Sequence, residues 1–164
     1  MPELPTCVIA VQTHDFDYGA LYDELRRSCA GQAGAIVCFS GLVRDFAPGQ
    51  DTDSLYLEHY PGMCERELRA IADEASQRWA VQASHIVHRV GELARGDQIV
   101  FAGVASAHRG DAFQAAQFIM DALKTRAPFW KRETLRSGER LWVEARDSDQ
   151  VQAQQWDAAR PPAD

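Results

Sequence analysis

The run ASHIVHRV-GELARG-DQIVFAGVASA, residues 83–107, carries the clearest architectural signal in the chain. Its two outer pieces are rich in apolar and β-branched residues, and a glycine stands at each end of the GELARG connection. They read as two strands, 83–90 and 97–107. Downstream, Asp111 is placed to cap a helix over DAFQAAQFIMDALKTRA, which Pro128 ends. FWKRET and RLWVEA then read as short strands around SGE, with a last helical turn near Trp156. Upstream, Pro61 suits a first helical position, and Leu68, Ile71, Ala72, Ala75 and Trp79 recur at helical spacing. SLYLEHY alternates as a strand, DFAPGQDTD is a loop of turn formers, and GAIVCFSGLVR (34–44) is a buried strand interrupted at Gly41, as at a bulge. Asp17 caps a helix through about Cys29, with Leu21 and Leu25 on one face, and TCVIAV (6–11) opens the fold as a strand. Strands and helices do not alternate regularly. The expectation is an α+β domain with a mixed, mainly antiparallel sheet.

The chain has 164 residues, a net charge of −7, 46% hydrophobic and 25% charged residues, all ordinary for a globular chain. That length suits a single domain, here 1–156, followed by a frayed tail from 157 that ends in AARPPAD. No apolar run approaches the ~20 residues of a membrane span, and the start lacks a secretory pattern. The expected location is the cytoplasm. Cys7, Cys29, Cys38 and Cys64 include no C-x-x-C pair, which argues against a structural zinc site and a disulfide framework.

Charge is distributed unevenly. Residues 108–136 hold six basic and three acidic side chains inside an otherwise acidic protein. Such an island is too small for a nucleic-acid footprint, and it suits one anionic small molecule or the acidic surface of a partner. Of the 17 basic residues 15 are arginine, and the two lysines, Lys124 and Lys131, both lie in this island. Arginine is always protonated, whereas lysine loses its proton when desolvated or set beside another cation. Proton transfer or nucleophilic attack would therefore use lysine where arginine cannot serve. On composition alone, two neighbouring lysines on a solvated face remain the competing account.

Three polar clusters are candidates. Gly41-Leu42-Val43-Arg44 ends a strand with an arginine that either snorkels or grips a phosphate or carboxylate. His108-Arg109-Gly110 stands at a helix start, where backbone N–H groups favour anions. LKTRAPFWKRE places Lys124 at a helix C-terminus and Lys131 beyond Pro128, with Trp130 available either to wall a pocket or to pin the turn. The P-loop, G-x-G-x-x-G, H-E-x-x-H and G-x-S-x-G motifs are absent.

Six segments extend this reading: FSGLVRDF (39–46), LYLEHYPGM (55–63), HRVGEL-x-x-GD (88–97), VASAHRGDAF (104–113), FIMDALKTRAPFWKRE (118–133) and WVEARDSD (142–149). Together, over about residues 34–150, they resemble the large catalytic subunit of molybdopterin synthase, the MoaE family. The resemblance implies an α/β hammerhead fold and a sulfurtransferase that converts cyclic pyranopterin monophosphate (precursor Z) to molybdopterin in molybdenum cofactor biosynthesis. It implies a small ubiquitin-like sulfur-carrier subunit with a C-terminal Gly-Gly thiocarboxylate as partner, and a homodimer flanked by two such subunits in a heterotetramer. Lys124 and Lys131 are then the catalytic lysines. Leu42, Val43, Arg44, His108, Arg109, Lys124, Lys131, Arg132 and Glu133 line the substrate site, and neither metal nor other cofactor enters the step. The competing expectation is a noncatalytic module that holds a ubiquitin-like tail or an anionic ligand; it needs the arginines but not the lysines.

Overall fold

The computed structural model describes residues 5–44, 51–143 and 147–157. In chain order the elements are β1 (Thr6–Gln12), α1 (Tyr18–Ser28), β2 (Ala35–Leu42), β3 (Thr52–His59), α2 (Met63–Arg78), β4 (Val81–Arg89), β5 (Gly91–Ala94), β6 (Gln98–Ser106), α3 (Arg109–Arg126), β7 (Phe129–Leu135), β8 (Arg140–Val143) and α4 (Asp147–Gln154). They build two four-stranded sheets, ordered β1-β4-β6-β2 and β5-β3-β7-β8. The β1–β4 pair is parallel and the other ladders are antiparallel, so the expected α+β class with mixed, mainly antiparallel pairing is what forms. Residues 1–4, 45–50 (the first part of the loop expected over 45–53), 144–146 and 158–164 (most of the expected tail) lie outside the described residues.

Alternation along the central strand β6 sorts the core into two layers. Val100, Ala102 and Val104 face α2 and α3, where they join Leu68, Ile71, Ala75, Phe118, Ile119 and Leu123, with the alanines of α3 allowing close approach. Phe101 and Ala105 face the other way, against α1, with Leu25 and Phe16. The second sheet closes over its own small core of Val43, Leu55, Leu57, Val90 and Leu93. Each of these leucines is essentially fully buried, worth roughly 1.5–3 kcal/mol apiece relative to exposure.

Several local expectations hold and others shift. Asp17 does cap α1, its Oδ1 accepting from the Ala20 N–H at 3.0 Å. The glycine interruption in β2 is a register shift between Gly41 and Leu42. α2 starts after Pro61, because Gly62 sits at φ +83° outside the helix, and its N–H donates to Glu65 Oε2 at 2.6 Å. α3 starts two residues before Asp111: His108 is the cap position and makes no side-chain capping bond, leaving Asp111 in the first turn, where its carboxylate still complements the helix dipole. The GELARG connection is more than a loop. Its first four residues form β5, an edge strand of the second sheet that pairs with β3.

Gly34 marks a tight crossing ahead of β2. Its N–H donates to Ser106 O at 3.0 Å, and a Cβ there would lie 2.3 Å from the carbonyl oxygen of Ala107. Beyond α3, Trp156 docks its ring against Trp79 and Phe118 while its indole N–H donates to the buried Asp121 at 2.7 Å. The four cysteines are free thiols. Among the described residues no helix is long and apolar enough to cross a membrane.

Candidate active site

α3 runs back across the first sheet, which sets its C-terminal end beside the bulged end of β2. At this junction the second sheet meets the first, and a cleft of about 100 Å³ opens. Gly41 and Leu42 contribute from β2, Ile99 and Val100 from β6, and Met120, Leu123 and Lys124 from α3. Ala127, Phe129 and Lys131 close it from the turn and from β7. Pro128 stops α3 and starts β7 almost at once, so the chain reverses within a few residues and brings both lysines to one opening. Every lysine of the protein lines this cleft.

The other expected residues occupy distinct places. On β7 alternation turns Lys131 and Glu133 inward, opposite Leu57 and Leu55 of β3, and Arg132 outward. The Glu133 carboxylate is fully buried and accepts a hydrogen bond from the Thr52 hydroxyl. Arg132 lies on the outer face over the rings of Tyr56 and Trp142, at 4.9 and 5.9 Å. Trp130 shares that outer face and is exposed, so Phe129, not Trp130, is the aromatic wall of the cleft. Val43 is buried in the second core, its N–H and C=O bonded to Asp97 O and Gly96 N. Arg44 is exposed just past β2.

His108 and Arg109 are exposed at the opposite end of α3. Fifteen residues separate Arg109 from Lys124, which at the helical rise is about 22 Å. Within one chain the structure therefore brings together Leu42, Lys124 and Lys131, and it keeps His108 and Arg109 apart from them.

One residue of the cleft escaped the sequence reading. His88 of β4 is buried, with its ring stacked on Phe129 at a centroid distance of 3.9 Å and an interplanar angle of 13°. Burial pushes its pKa down to about 3; the contact with Arg89 O opposes this, while the charges of Lys131, Lys124 and His59 add to it. The imidazole is thus neutral at physiological pH. Its Nδ1 lies 2.8 Å from Arg89 O, and a carbonyl only accepts, so Nδ1 carries the proton and Nε2 the lone pair. Nothing in the local pattern IVHRV distinguishes such a histidine; its environment comes from a phenylalanine some forty residues later.

The comparisons with known proteins point one way. Residues 11–126 match the family model described as MoaE protein. The molybdopterin synthase catalytic subunit of Escherichia coli K12 is 52% identical over 148 residues, spanning 90% of this chain and 97% of that protein. A solved structure, the molybdopterin biosynthesis MoaE protein from Burkholderia ambifaria, superposes with a TM-score of 0.78 at 45% identity, covering 93% of this chain and 99% of that one. The molybdopterin synthase structure from Staphylococcus aureus gives a TM-score of 0.74 at 29% identity over 82% of this chain and 96% of that one. With a family model over most of the chain and relatives similar along nearly its full length, the chain belongs to the MoaE family.

Proposed function

We propose that this protein is the catalytic subunit of a molybdopterin synthase. It converts cyclic pyranopterin monophosphate to molybdopterin with sulfur delivered as the C-terminal Gly-Gly thiocarboxylate of a small ubiquitin-like subunit. The observation that carries the reading, beside family membership, is the convergence of the only two lysines on one cleft. The thiocarboxylate sulfur attacks a carbon of the pterin side chain, forming a C–S bond as oxygen departs and leaving a thioester to the carrier. Water then adds to the thioester carbonyl. The tetrahedral oxyanion collapses with cleavage of the carrier's C–S bond, so that the sulfur stays on the pterin and the carrier ends as a carboxylate. An ammonium beside that centre stabilises the anion and supplies the proton that the departing oxygen takes. In this assignment Lys124 works nearest the thiocarboxylate and Lys131 nearest the pterin.

The size of the cleft agrees with a composite site. Its 100 Å³ is well below the roughly 300–1,000 Å³ of pockets that enclose a small molecule, yet a glycyl tail without side chains is slender enough to enter. The 22 Å between Arg109 and Lys124 argues likewise that His108 and Arg109 reach a lysine cleft in a second copy of the chain. A homodimer then assembles two substrate sites, with the phosphate held by Arg44 and Arg109. Val43 and Glu133 shape the strands beneath it, and Arg132 stands at its outer margin. The assembled enzyme is a heterotetramer with two carrier subunits, working in the cytoplasm.

The test is a single-turnover reaction of purified chain, thiocarboxylated carrier and cyclic pyranopterin monophosphate, read as dithiolene product. The wild-type chain forms product and Lys124→Ala does not. Lys124→Arg keeps carrier binding and loses turnover; full activity in that variant would refute an acid–base role for Lys124. Tight carrier binding with no product from the wild type would identify a noncatalytic binding module instead.

A further inference from the structure

The cleft contains a buried group to which the mechanism above gives no task. His88 sits at its floor, fixed on three sides. Its ring stacks on Phe129, its Nδ1–H is committed to Arg89 O, and its strand pairs with Val11 on one side and Val100 on the other. The nitrogen farther from the main chain, Nε2, is an acceptor by elimination. The two cations that share the cleft, Lys124 and Lys131, are donors only.

We propose that His88 is a positioning residue for the lysine pair: its Nε2 lone pair accepts an N–H from one ammonium and holds that amine at the reacting end of the cleft. The inference rests on the reading that these lysines carry the sulfur transfer. Its physical basis is the rigidity of the ring against the freedom of the lysines. A lysine stem has four rotatable bonds, and an amine that wanders by an ångström loses most of its catalytic value. An imidazole locked by stacking and by a backbone hydrogen bond gives it a fixed point. A neutral ring is needed for this role, because an imidazolium would present a second N–H and repel both lysines. Burial keeps the ring neutral, as does the company of Lys131, Lys124 and His59, the charged or titratable groups that act on it.

Two measurements test the proposal, and the first needs no activity. The chain has five histidines, so a long-range ¹⁵N spectrum of histidine-labelled protein is sparse, and His88→Gln assigns the signal of interest. The wild type is expected to show a protonated Nδ1 and an unprotonated, hydrogen-bonded Nε2. In either Lys124→Ala or Lys131→Ala that Nε2 signal moves toward the unbonded position. An Nε2 signal unmoved in both variants, or a protonated Nε2, overturns the proposal.

The second measurement is the single-turnover rate of His88→Phe and His88→Gln. Phenylalanine keeps the stacking and removes the acceptor; the glutamine side-chain oxygen restores an acceptor near the position of Nε2. His88→Phe should lose about 10–100-fold in the rate constant at saturating carrier, with half-saturation little changed, and His88→Gln should recover to within about threefold. Equal losses in the two variants, or none in His88→Phe, overturn the positioning role. If the wild type itself makes no product, the functional reading fails while the ¹⁵N measurement still decides what His88 binds.

Discussion

Replacing Gly34 with alanine puts the packing argument at its most exposed point. The added Cβ would stand 2.3 Å from Ala107 O, 0.7 Å inside the 3.0 Å that real contacts of this kind respect. The obstacle is a backbone carbonyl, so no side-chain rotation relieves it; either β2 or the segment leading into α3 must move. Gly34 has no positive φ, which leaves crowding as the whole of the cost. Overpacking of this kind costs about 1–3 kcal/mol, and in a protein of this size about 2 kcal/mol lowers Tm by roughly 4–8 °C. Gly110→Ala is the matched control. It lies in the first turn of α3 with nothing within 4 Å of the new methyl, so alanine should stabilise by about 0.5–1 kcal/mol and raise Tm by roughly 1–4 °C. Differential scanning calorimetry of the two variants beside the wild type is the assay. A Gly34→Ala protein that melts at or above the wild type, or a Gly110→Ala protein that melts well below it, would refute the reasoning.

Three further outcomes follow from the same structure. Trp156→Phe keeps the ring against Trp79 and Phe118 but takes the indole donor from Asp121, and urea unfolding should show a loss of about 1–3 kcal/mol; an unchanged midpoint would show that the bond contributes nothing net. Thr52→Val preserves shape while removing the hydroxyl that serves buried Glu133, with a similar expected loss that Thr52→Ser restores. His88 has a folded pKa near 3 against an ordinary 6.5, so the unfolded chain binds the extra proton between these values. The stability this neutral ring contributes is complete above pH 6.5 and is lost as pH falls toward 3. Between pH 4 and 6 the wild type should therefore lose about 1.4 kcal/mol per pH unit more than His88→Phe, and parallel curves would contradict the burial argument.

Much of the fold was legible because its signals are local. The Asp17 cap, the α2 stripe of Leu68, Ile71, Ala72 and Ala75, and the Gly41 bulge each depend on neighbours within a turn or a strand. β5 was not legible: four residues with one buried leucine, Leu93, are too short for alternation to register, and pairing with β3 makes them a strand. The start of α3 was misplaced because Asp111 is the better capping residue by type, yet the chain leaving β6 already turns helical at Arg109. For the site, the scarcity of lysine singled out Lys124 and Lys131, which line one cleft, although composition alone left a solvated face as an equal account. The separation of Arg109 from Lys124 could have been computed from residue count alone once both were assigned to one helix. His88 could not have been found that way, since stacking on Phe129 is a product of two sheets meeting.

The gathering of both lysines at one opening gives the molecule a chemical asymmetry. Apart from the chain's own α-amine, an amine-seeking reagent finds its targets nowhere on the surface except at Lys124 and Lys131. Reductive methylation with labelled formaldehyde would therefore place reporters at the cleft and at the N-terminus alone. The occupancy of the site by a carrier tail could then be followed from three carbon signals, in a protein whose arginine-rich exterior stays silent.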